Sequence, residues 1–290
     1  MREYEILTDA TCDLPVAILE ELGISVIPME FRLGINEYVH YPDARELGVQ
    51  EFYERLSNGE SAVTSQINPS TYQEYFETYL KQGKDIIYIA FSSGLSGTFN
   101  TAVLIASQLE EQYPGSKIVC LDSLCASVGE GMLVYYAAKR KQQGATLDEL
   151  SAWVQKEKLN LCHWFTVDDL DFLRRGGRVS RLSAKLGGML KIKPVLHVDD
   201  EGHLIPMSKV KGRKKALKEL VEHMERSAVK PEEQVVFIGH GNSPEDAQFV
   251  EKLVREKLAV QDVITSYIGP IIGTHSGPGT IALFFFGNTR

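Results

Sequence analysis

Apolar and polar positions alternate in short blocks along the first half of the chain. Tyr4–Leu7 and Ile24–Met29 have the composition of strands, and Asp85–Phe91 is a continuous apolar run, typical of a strand buried on both faces of a parallel sheet. Helical spacing of aromatic side chains in Thr71–Lys81 predicts a helix with one aromatic face. The same alternation predicts these further elements: a helix opening near Pro15, a helix running through Ala106, a strand at Lys117–Leu121, and helices at Gly129–Gln143 and Leu147–Lys158. Strand, loop and helix repeated in this order indicate a parallel α/β layer.

The pattern changes at about residue 160, where strands become more frequent than helices. Strands are predicted at Leu161–Val167, Ile192–Val198, Leu204–Val210, Gln234–Gly239, Val263–Ile268 and Thr280–Phe286. Asp199–Gly202 has the composition of a hairpin turn, and helices are predicted at Arg213–Arg226 and Pro244–Lys257. A chain of 290 residues is long enough for two domains, each with its own core. We therefore predict an α/β protein with a parallel-sheet domain at residues 1–160 and a mixed-sheet α/β domain at residues 161–290.

Composition limits the possible partners. The net charge of −8 argues against nucleic acid, because binding a phosphate backbone requires a clustered positive field. The sequence contains no run of 18 apolar residues and begins without a charged-then-apolar leader, so we expect a cytoplasmic protein with no stable membrane insertion. The four cysteines are scattered without metal-ligand spacing, which favours buried thiols in a reducing compartment and no metal site.

The loop at residues 92–98, Ser-Ser-Gly-Leu-Ser-Gly-Thr, is the most informative segment. It joins the carboxyl end of a predicted buried strand to the start of a helix, where open α/β sheets bind ligands. Unpaired backbone N–H groups and the helix dipole favour an anion there. Ser93 and Ser96 are therefore candidate ligands for an anionic group, although Ser96 could equally serve only as a helix cap. The loop has no lysine after its glycines, so it does not indicate nucleotide binding.

Two further segments carry candidate hydrogen-bond donors. Thr64 and Ser65 precede the predicted aromatic helix, where capping of the helix start is the simpler interpretation. His275 lies in a predicted loop of small residues at 273–279, just before the last strand, and its imidazole could donate to a carboxylate.

Three arginines surround a Gly-Gly pair near residue 176. Arg174, Arg175 and Arg178 could complement the dipole at a helix end, or they could form an anion site or a docking surface. The sequence leaves these two interpretations open.

The sequence is compared with three possible functions. A serine hydrolase or esterase would use Ser96 as nucleophile and His275 as base, but Gly94–Thr98 lacks the second glycine of the G-x-S-x-G turn. A phosphotransferase needs a nucleotide loop, which is not found. A small-molecule binding protein needs only hydroxyl groups, a helix dipole and an apolar cavity.

Five segments, in order along the chain, together resemble the DegV family. They are Asp9–Pro15 (DATCDLP), Thr64–Gln66 (TSQ), Ser93–Thr98 (SGLSGT), Phe172–Val179 (FLRRGGRV) and Thr274–Gly279 (THSGPG). The resemblance implies a two-domain α/β protein that binds one long-chain fatty acid, such as palmitate or oleate, between its domains. It also implies a non-catalytic role in phospholipid metabolism, in which the protein presents the lipid carboxylate to a separate ATP-binding subunit of a fatty acid kinase.

The same resemblance assigns roles to the candidate residues. Thr64 and Ser96 are implied to grip the carboxylate, with His275 as a third donor and Ser65 and Ser93 beside them. Arg174, Arg175 and Arg178 are implied to contact the kinase subunit or the developing acyl phosphate. No cofactor is expected other than the bound fatty acid.

Overall fold

The computed structural model describes residues 2–178, 192–288 and 290. Its strands, in chain order, are β1 Tyr4–Asp9, β2 Ile24–Ile27, β3 Met29–Leu33, β4 Asn36–His40, β5 Ala62–Thr64, β6 Asp85–Ala90, β7 Ile118–Asp122, β8 Leu161–Thr166, β9 Ile192–Val198, β10 Leu204–Lys211, β11 Val235–His240, β12 Asp262–Tyr267 and β13 Ile281–Phe286. Its helices are α1 Val16–Leu22, α2 Val49–Ser57, α3 Pro69–Leu80, α4 Thr98–Gln112, α5 Val128–Gln142, α6 Leu147–Glu157, α7 Leu170–Arg175, α8 Arg213–Ser227, α9 Pro244–Lys257 and α10 Pro270–Ser276.

The first half is built on a parallel sheet with strand order β2-β1-β6-β7. Ile6 of β1 pairs with Ile24 on one side and Ile87 on the other. All residues of β6 after Asp85 are buried, as the continuous apolar run predicts. The predicted parallel layer is confirmed.

The second half is built on a mixed sheet with strand order β10-β9-β8-β13-β11-β12. β11 and β12 run parallel, and the other neighbouring pairs are antiparallel. The predicted turn at Asp199–Gly202 joins β9 to β10 as an antiparallel hairpin. The predicted fold class is therefore confirmed, while the boundary after residue 160 stays a prediction.

A small antiparallel sheet, β4-β3-β5, was not predicted. The predicted strand Ile24–Met29 is wrong in extent, since β2 ends at Ile27 and Met29 begins β3. Pro28 lies between them, and proline has no N–H to donate to a strand ladder. The three strands have only three to five residues each, too short for periodicity to identify.

Helix α5 contradicts the expectation that each half has a core of its own. Its buried residues include Val128, Met132, Leu133 and Val134. They belong to one apolar core together with residues of the parallel sheet and residues of the mixed sheet, among them Ile6, Ile87, Phe165, Phe237 and Phe284. A second core lies in the first half and receives Ile271, whereas a third belongs to the second half alone. The two halves therefore share a core across α5.

We predict that Leu133→Ala destabilises both halves together. Leu133 is fully buried in the shared core, and removing a buried leucine side chain costs about 2–5 kcal/mol. Urea unfolding followed by circular dichroism and by tryptophan fluorescence should show one transition at a lower midpoint in both signals. Leu104→Ala on the exposed face of α4 is the control, with an expected change within about 0.5 kcal/mol. Two separate transitions would contradict a shared core.

Candidate functional site

A cavity of about 320 Å³ lies between elements of the two halves. Most of its wall is apolar and comes from the loop after β6 and from β8, β9, β10 and β13, with Phe91, Leu95, Phe165, Val198, Leu204 and Phe284 among its lining residues. Its polar lining includes Thr64, Ser65, Gln66, Ser96, Arg178 and His275. The volume falls at the lower end of the range of ligand pockets, about 300–1,000 Å³. An apolar cavity with a few polar groups suits a ligand that is itself largely apolar.

Thr64 and His275 meet in the wall of this cavity. The Thr64 hydroxyl lies 2.9 Å from Nε2 of His275, although 211 positions separate them in the sequence. Thr64 ends β5, one of the two edge strands of the small sheet. The prediction that His275 lies in a loop is wrong, because it lies in the last turn of α10. The start of α10 could not be identified from the sequence, because its N-cap residue is Gly269, which has no capping side chain.

His275 is a neutral hydrogen-bonding group in this environment. Burial, reinforced by the positive charge of Arg178, lowers the pKa of His275 from 6.5 to about 4. Its Nδ1 is buried and has no hydrogen-bond partner among the described residues. A neutral imidazole has one nitrogen that donates and one that accepts. If Nε2 accepts from the Thr64 hydroxyl, Nδ1 is the donor, and if Nε2 donates to Thr64, Nδ1 is the acceptor.

The loop after β6 brings Ser96 to the cavity. The Ser96 hydroxyl lies 2.8 Å from that of Thr98 and accepts from the Thr98 N–H at 3.3 Å, so it also serves the first turn of α4. A Cβ on Gly97 would stand 2.6 Å from Oε1 of Gln66, so the glycine lets the segments around Thr64 and Ser96 approach each other. Gln66 was not singled out from the sequence, although it follows two candidate residues directly.

The two remaining hydroxyl candidates differ in position. Ser65 lines the cavity. Ser93 is exposed, lies outside the cavity lining, and its N–H donates to the Asp122 carboxylate at 3.2 Å. Ser92, which was not predicted, is the buried serine of this loop and donates to the Gly202 carbonyl at 3.0 Å.

The arginines around Gly176 separate into two groups. Arg178 lines the cavity and donates to the Leu95 and Gly176 carbonyls at 3.3 and 2.6 Å. Arg174 is exposed and pairs with Asp171 at 3.0 Å. Arg175 is exposed and lies 4.7 Å over the Phe172 ring. Val179, the last residue of the motif, lies outside the described residues.

The geometry does not favour a hydrolase. His275 contacts Thr64, and the Ser96 hydroxyl contacts Thr98, so no Ser96–His275 hydrogen bond forms among the described atoms. A nucleophilic serine needs a base within hydrogen-bond reach and a third group that orients the base. The second nitrogen of His275 lacks such a partner in the described part of the chain.

A metal site and a membrane-spanning helix are not found among the described residues. Within residues 2–178, 192–288 and 290, no three His, Cys, Asp or Glu side chains are placed to hold a metal ion. In the same part of the chain, no helix has the length and apolar character needed to cross a bilayer. Among the described residues, Cys12, Cys120, Cys125 and Cys162 form no disulfide; Cys120 is half-buried and the others are buried.

A protein-family comparison covers nearly the whole chain. The family model described as "DegV: Uncharacterised protein, DegV family" matches residues 3–288. This chain belongs to the DegV family. The DegV domain-containing protein CPE0026 of Clostridium perfringens is 44% identical over 290 residues, with 100% of this chain and 99% of that protein covered. The predicted family resemblance is therefore confirmed.

Solved DegV structures share the fold. The DegV family protein from Thermus thermophilus, described by its fatty acid binding, has a TM-score of 0.88 at 27% identity, covering 99% of this chain and 100% of that one. DegV from Bacillus subtilis, described as a fatty acid binding protein, has a TM-score of 0.86 at 29% identity, with the same coverage.

We predict that His275 makes this DegV protein sensitive to acid. The pKa of His275 is about 4 in the folded chain and about 6.5 in the unfolded chain. Because the folded pKa is the lower one, this contribution to stability is fully present above pH ~6.5 and is lost as the pH falls through ~4. Between pH 7 and pH 4, wild type should lose up to ~3 kcal/mol more than His275→Gln in urea unfolding. Equal losses in the two proteins would show that His275 does not carry this effect.

Proposed function

We propose that this chain binds one long-chain fatty acid, with the acyl chain in the apolar cavity and the carboxylate at the Thr64–His275 end. The observation that carries the proposal is a single cavity that combines an apolar wall with hydroxyl and imidazole groups. Two DegV proteins with more than 25% identity and the same fold are described as fatty acid binding, which supports the assignment.

The acyl chain supplies most of the affinity. A chain of sixteen carbons has roughly fourteen methylene groups, and burial contributes about 0.8 kcal/mol for each. Their total, about 10 kcal/mol, is reduced by the loss of translational and conformational freedom on binding. Affinity of this origin tolerates differences in chain length, since each methylene adds only a small increment.

The polar end decides the orientation. A carboxylate loses its hydration when it enters the cavity, and each hydrogen bond to it returns about 1.5–3 kcal/mol. Thr64, Ser96 and His275 are the donors that we assign, with Ser65 beside them. Among the described lining residues, Arg178 has the only permanent positive charge, so it also stabilises an anion at this end.

Binding is tested with oleate and with one matched pair of serine variants. Oleate at 100 times its dissociation constant should raise the free energy of unfolding of wild type by about 2.7 kcal/mol. Ser96→Ala should weaken oleate binding about 10- to 100-fold, because the carboxylate loses a donor. Ser93→Ala is the control, since this exposed serine lies outside the cavity lining. Calorimetric titration measures all three proteins.

The result also separates a binding protein from a hydrolase. No oleate binding and no lipid in a denaturing extract of the purified protein would overturn the proposal. Covalent labelling of Ser96 by a fluorophosphonate probe, with cleavage of activated esters, would favour the serine hydrolase instead.

We further propose that the bound carboxylate is presented to an ATP-binding fatty acid kinase subunit, which carries out the phosphoryl transfer. The sequence has no Walker-type phosphate loop, which supports a phosphate donor held by another protein. Arg174 and Arg175 are exposed on α7, four and three positions before the cavity-lining Arg178. Guanidinium groups suit carboxylates and phosphates, which makes this surface the docking site that we assign.

Arg174→Ala and Arg175→Ala should separate docking from lipid binding. Both variants should keep oleate affinity within about threefold of wild type, but acyl-phosphate formation with the kinase subunit should slow about 10-fold, increasingly at higher salt. Lys214→Ala, exposed on α8, is the control for loss of one surface charge. If the arginine variants lose oleate binding and acyl-phosphate formation in parallel, these side chains belong to the cavity and not to a docking surface.

A further inference from the structure

Asp13, in the segment Asp9–Pro15, forms a hydrogen bond with Ser127, a residue of the cavity wall. The Asp13 carboxyl group lies 2.5 Å from the Ser127 hydroxyl and accepts from the Gly269 N–H at 2.9 Å. Its backbone carbonyl accepts from the Ser266 hydroxyl at 2.7 Å. Asp13 thus contacts three residues in two segments, at residue 127 and at residues 266–269, that are more than one hundred positions away from it.

Both partners of this carboxyl group lead directly to the cavity. Ser127 lines it and immediately precedes α5. Gly269 caps the N-terminus of α10, and the last turn of that helix carries His275 and Ser276, which also line the cavity. A short helix held at its N-terminus places its last residues within about 10 Å of the attachment point.

We propose that Asp13 is a positioning residue of the lipid cavity, because its carboxyl group holds Ser127 and helix α10 in the arrangement in which His275 meets Thr64. This inference rests on the proposed fatty acid binding. It concerns a residue that contacts neither the Thr64–His275 pair nor the cavity directly.

The backbone conformation of Ser127 supports the Asp13–Ser127 hydrogen bond as a positioning contact. Asp13 has φ of 51°, which aspartate tolerates, whereas Ser127 has φ of 54° with ψ of −144°. Residues other than glycine rarely adopt the conformation of Ser127, which persists only where the surroundings impose it. The buried hydrogen bond between the two side chains is a contact that holds both residues in place.

The surroundings of Gly269 leave no room for a side chain. A Cβ at this position would stand 2.6 Å from Oδ1 of Asp13 and 2.6 Å from Nε2 of His40. Any larger residue would therefore push the carboxyl group away from the backbone N–H that it accepts from. Glycine here allows the side chain of Asp13 to cap α10 from a distant segment.

The protonation state indicates which replacement should preserve the tie. Burial raises the pKa of Asp13 to about 8, so the carboxyl group is largely protonated at neutral pH. One oxygen accepts from the Gly269 N–H, and the other accepts from the Ser127 hydroxyl. In asparagine, which is also neutral, the amide oxygen can accept from Gly269, and the NH2 group can donate to the Ser127 hydroxyl, because a hydroxyl accepts as well as donates.

The test compares Asp13→Ala, Asp13→Asn and Val250→Ala. Val250 is fully buried in the core of the second half that does not adjoin the cavity, so its replacement lowers stability without touching the tie. Oleate affinity is measured by calorimetry at pH 7, and amide hydrogen exchange of residues 274–276 is measured without lipid. Asp13→Ala should weaken oleate binding about tenfold and speed exchange in α10 about tenfold, whereas Asp13→Asn and Val250→Ala should stay within about threefold of wild type after correction for global unfolding.

Each outcome decides the proposal. Wild-type exchange rates in α10 of Asp13→Ala would overturn it, whatever happens to the lipid. An equal loss of oleate affinity in Val250→Ala would reduce the effect to general stability and overturn it as well. Should Asp13→Ala fail to fold, Ser127→Ala removes the same bond from the other side and is judged by the same two measurements. If the wild-type protein does not bind oleate, the proposed function is wrong. The amide hydrogen exchange of α10 would still decide whether Asp13 positions that helix.

Discussion

Helix α5 is buried on every face over its first seven residues, 128–134, and this constraint organises the molecule around it. A helical segment that is largely apolar all round is stable in water only when other elements cover it, and here side chains of the parallel sheet and of the mixed sheet pack with it in one core. The two halves consequently share a core instead of meeting across a polar interface. The cavity wall includes Ala126 and Ser127, immediately before α5 begins, so the same helix links the core to the site.

Buried acidic groups make the environment of α5 unusual. Glu130 lies within this helix, fully buried, and accepts from the Thr8 and Thr11 hydroxyls at 2.7 Å each. Thr11 also lies 2.5 Å from Asp9, and one hydroxyl proton cannot serve two ionised carboxylates at once. Burial raises the pKa values of Asp9 and Glu130, which favours a proton on one of the two carboxyl groups. Neutral hydrogen-bonded groups avoid the high cost of unpaired buried charge.

The same principle applies to the cavity. Its hydroxyl groups and its neutral imidazole can donate hydrogen bonds without carrying a charge, and Arg178 is the only described lining residue with a permanent charge. They suit a ligand whose charge is confined to one end and whose remaining surface is apolar. A hydrolytic site would need a different geometry, in which the serine and the histidine are in contact. DegV proteins of the same fold are described as fatty acid binding, which agrees with a cavity for a largely apolar ligand.

Sequence by itself determined the elements whose cause is local. The continuous apolar run of β6, the alternation that identifies the parallel layer, and the polar turn between β9 and β10 depend on neighbouring residues, so pattern was sufficient. Ser96 and Thr64 could also be singled out, because each stands at the boundary of a predicted element. The family motifs added His275, which no local pattern distinguishes from an incidental loop histidine.

Tertiary structure decided what depends on contacts between distant positions. The Thr64–His275 pair and the Asp13–Ser127 bond each join residues that are more than one hundred positions apart, and their formation depends on how the sheets pack around α5. Pattern also cannot separate Arg178, in the cavity wall, from Arg174 and Arg175 at the surface, because the three share one charge and one motif. The physical reason is that periodicity reports which face of an element is buried, while only packing determines which side chains face each other across the interior.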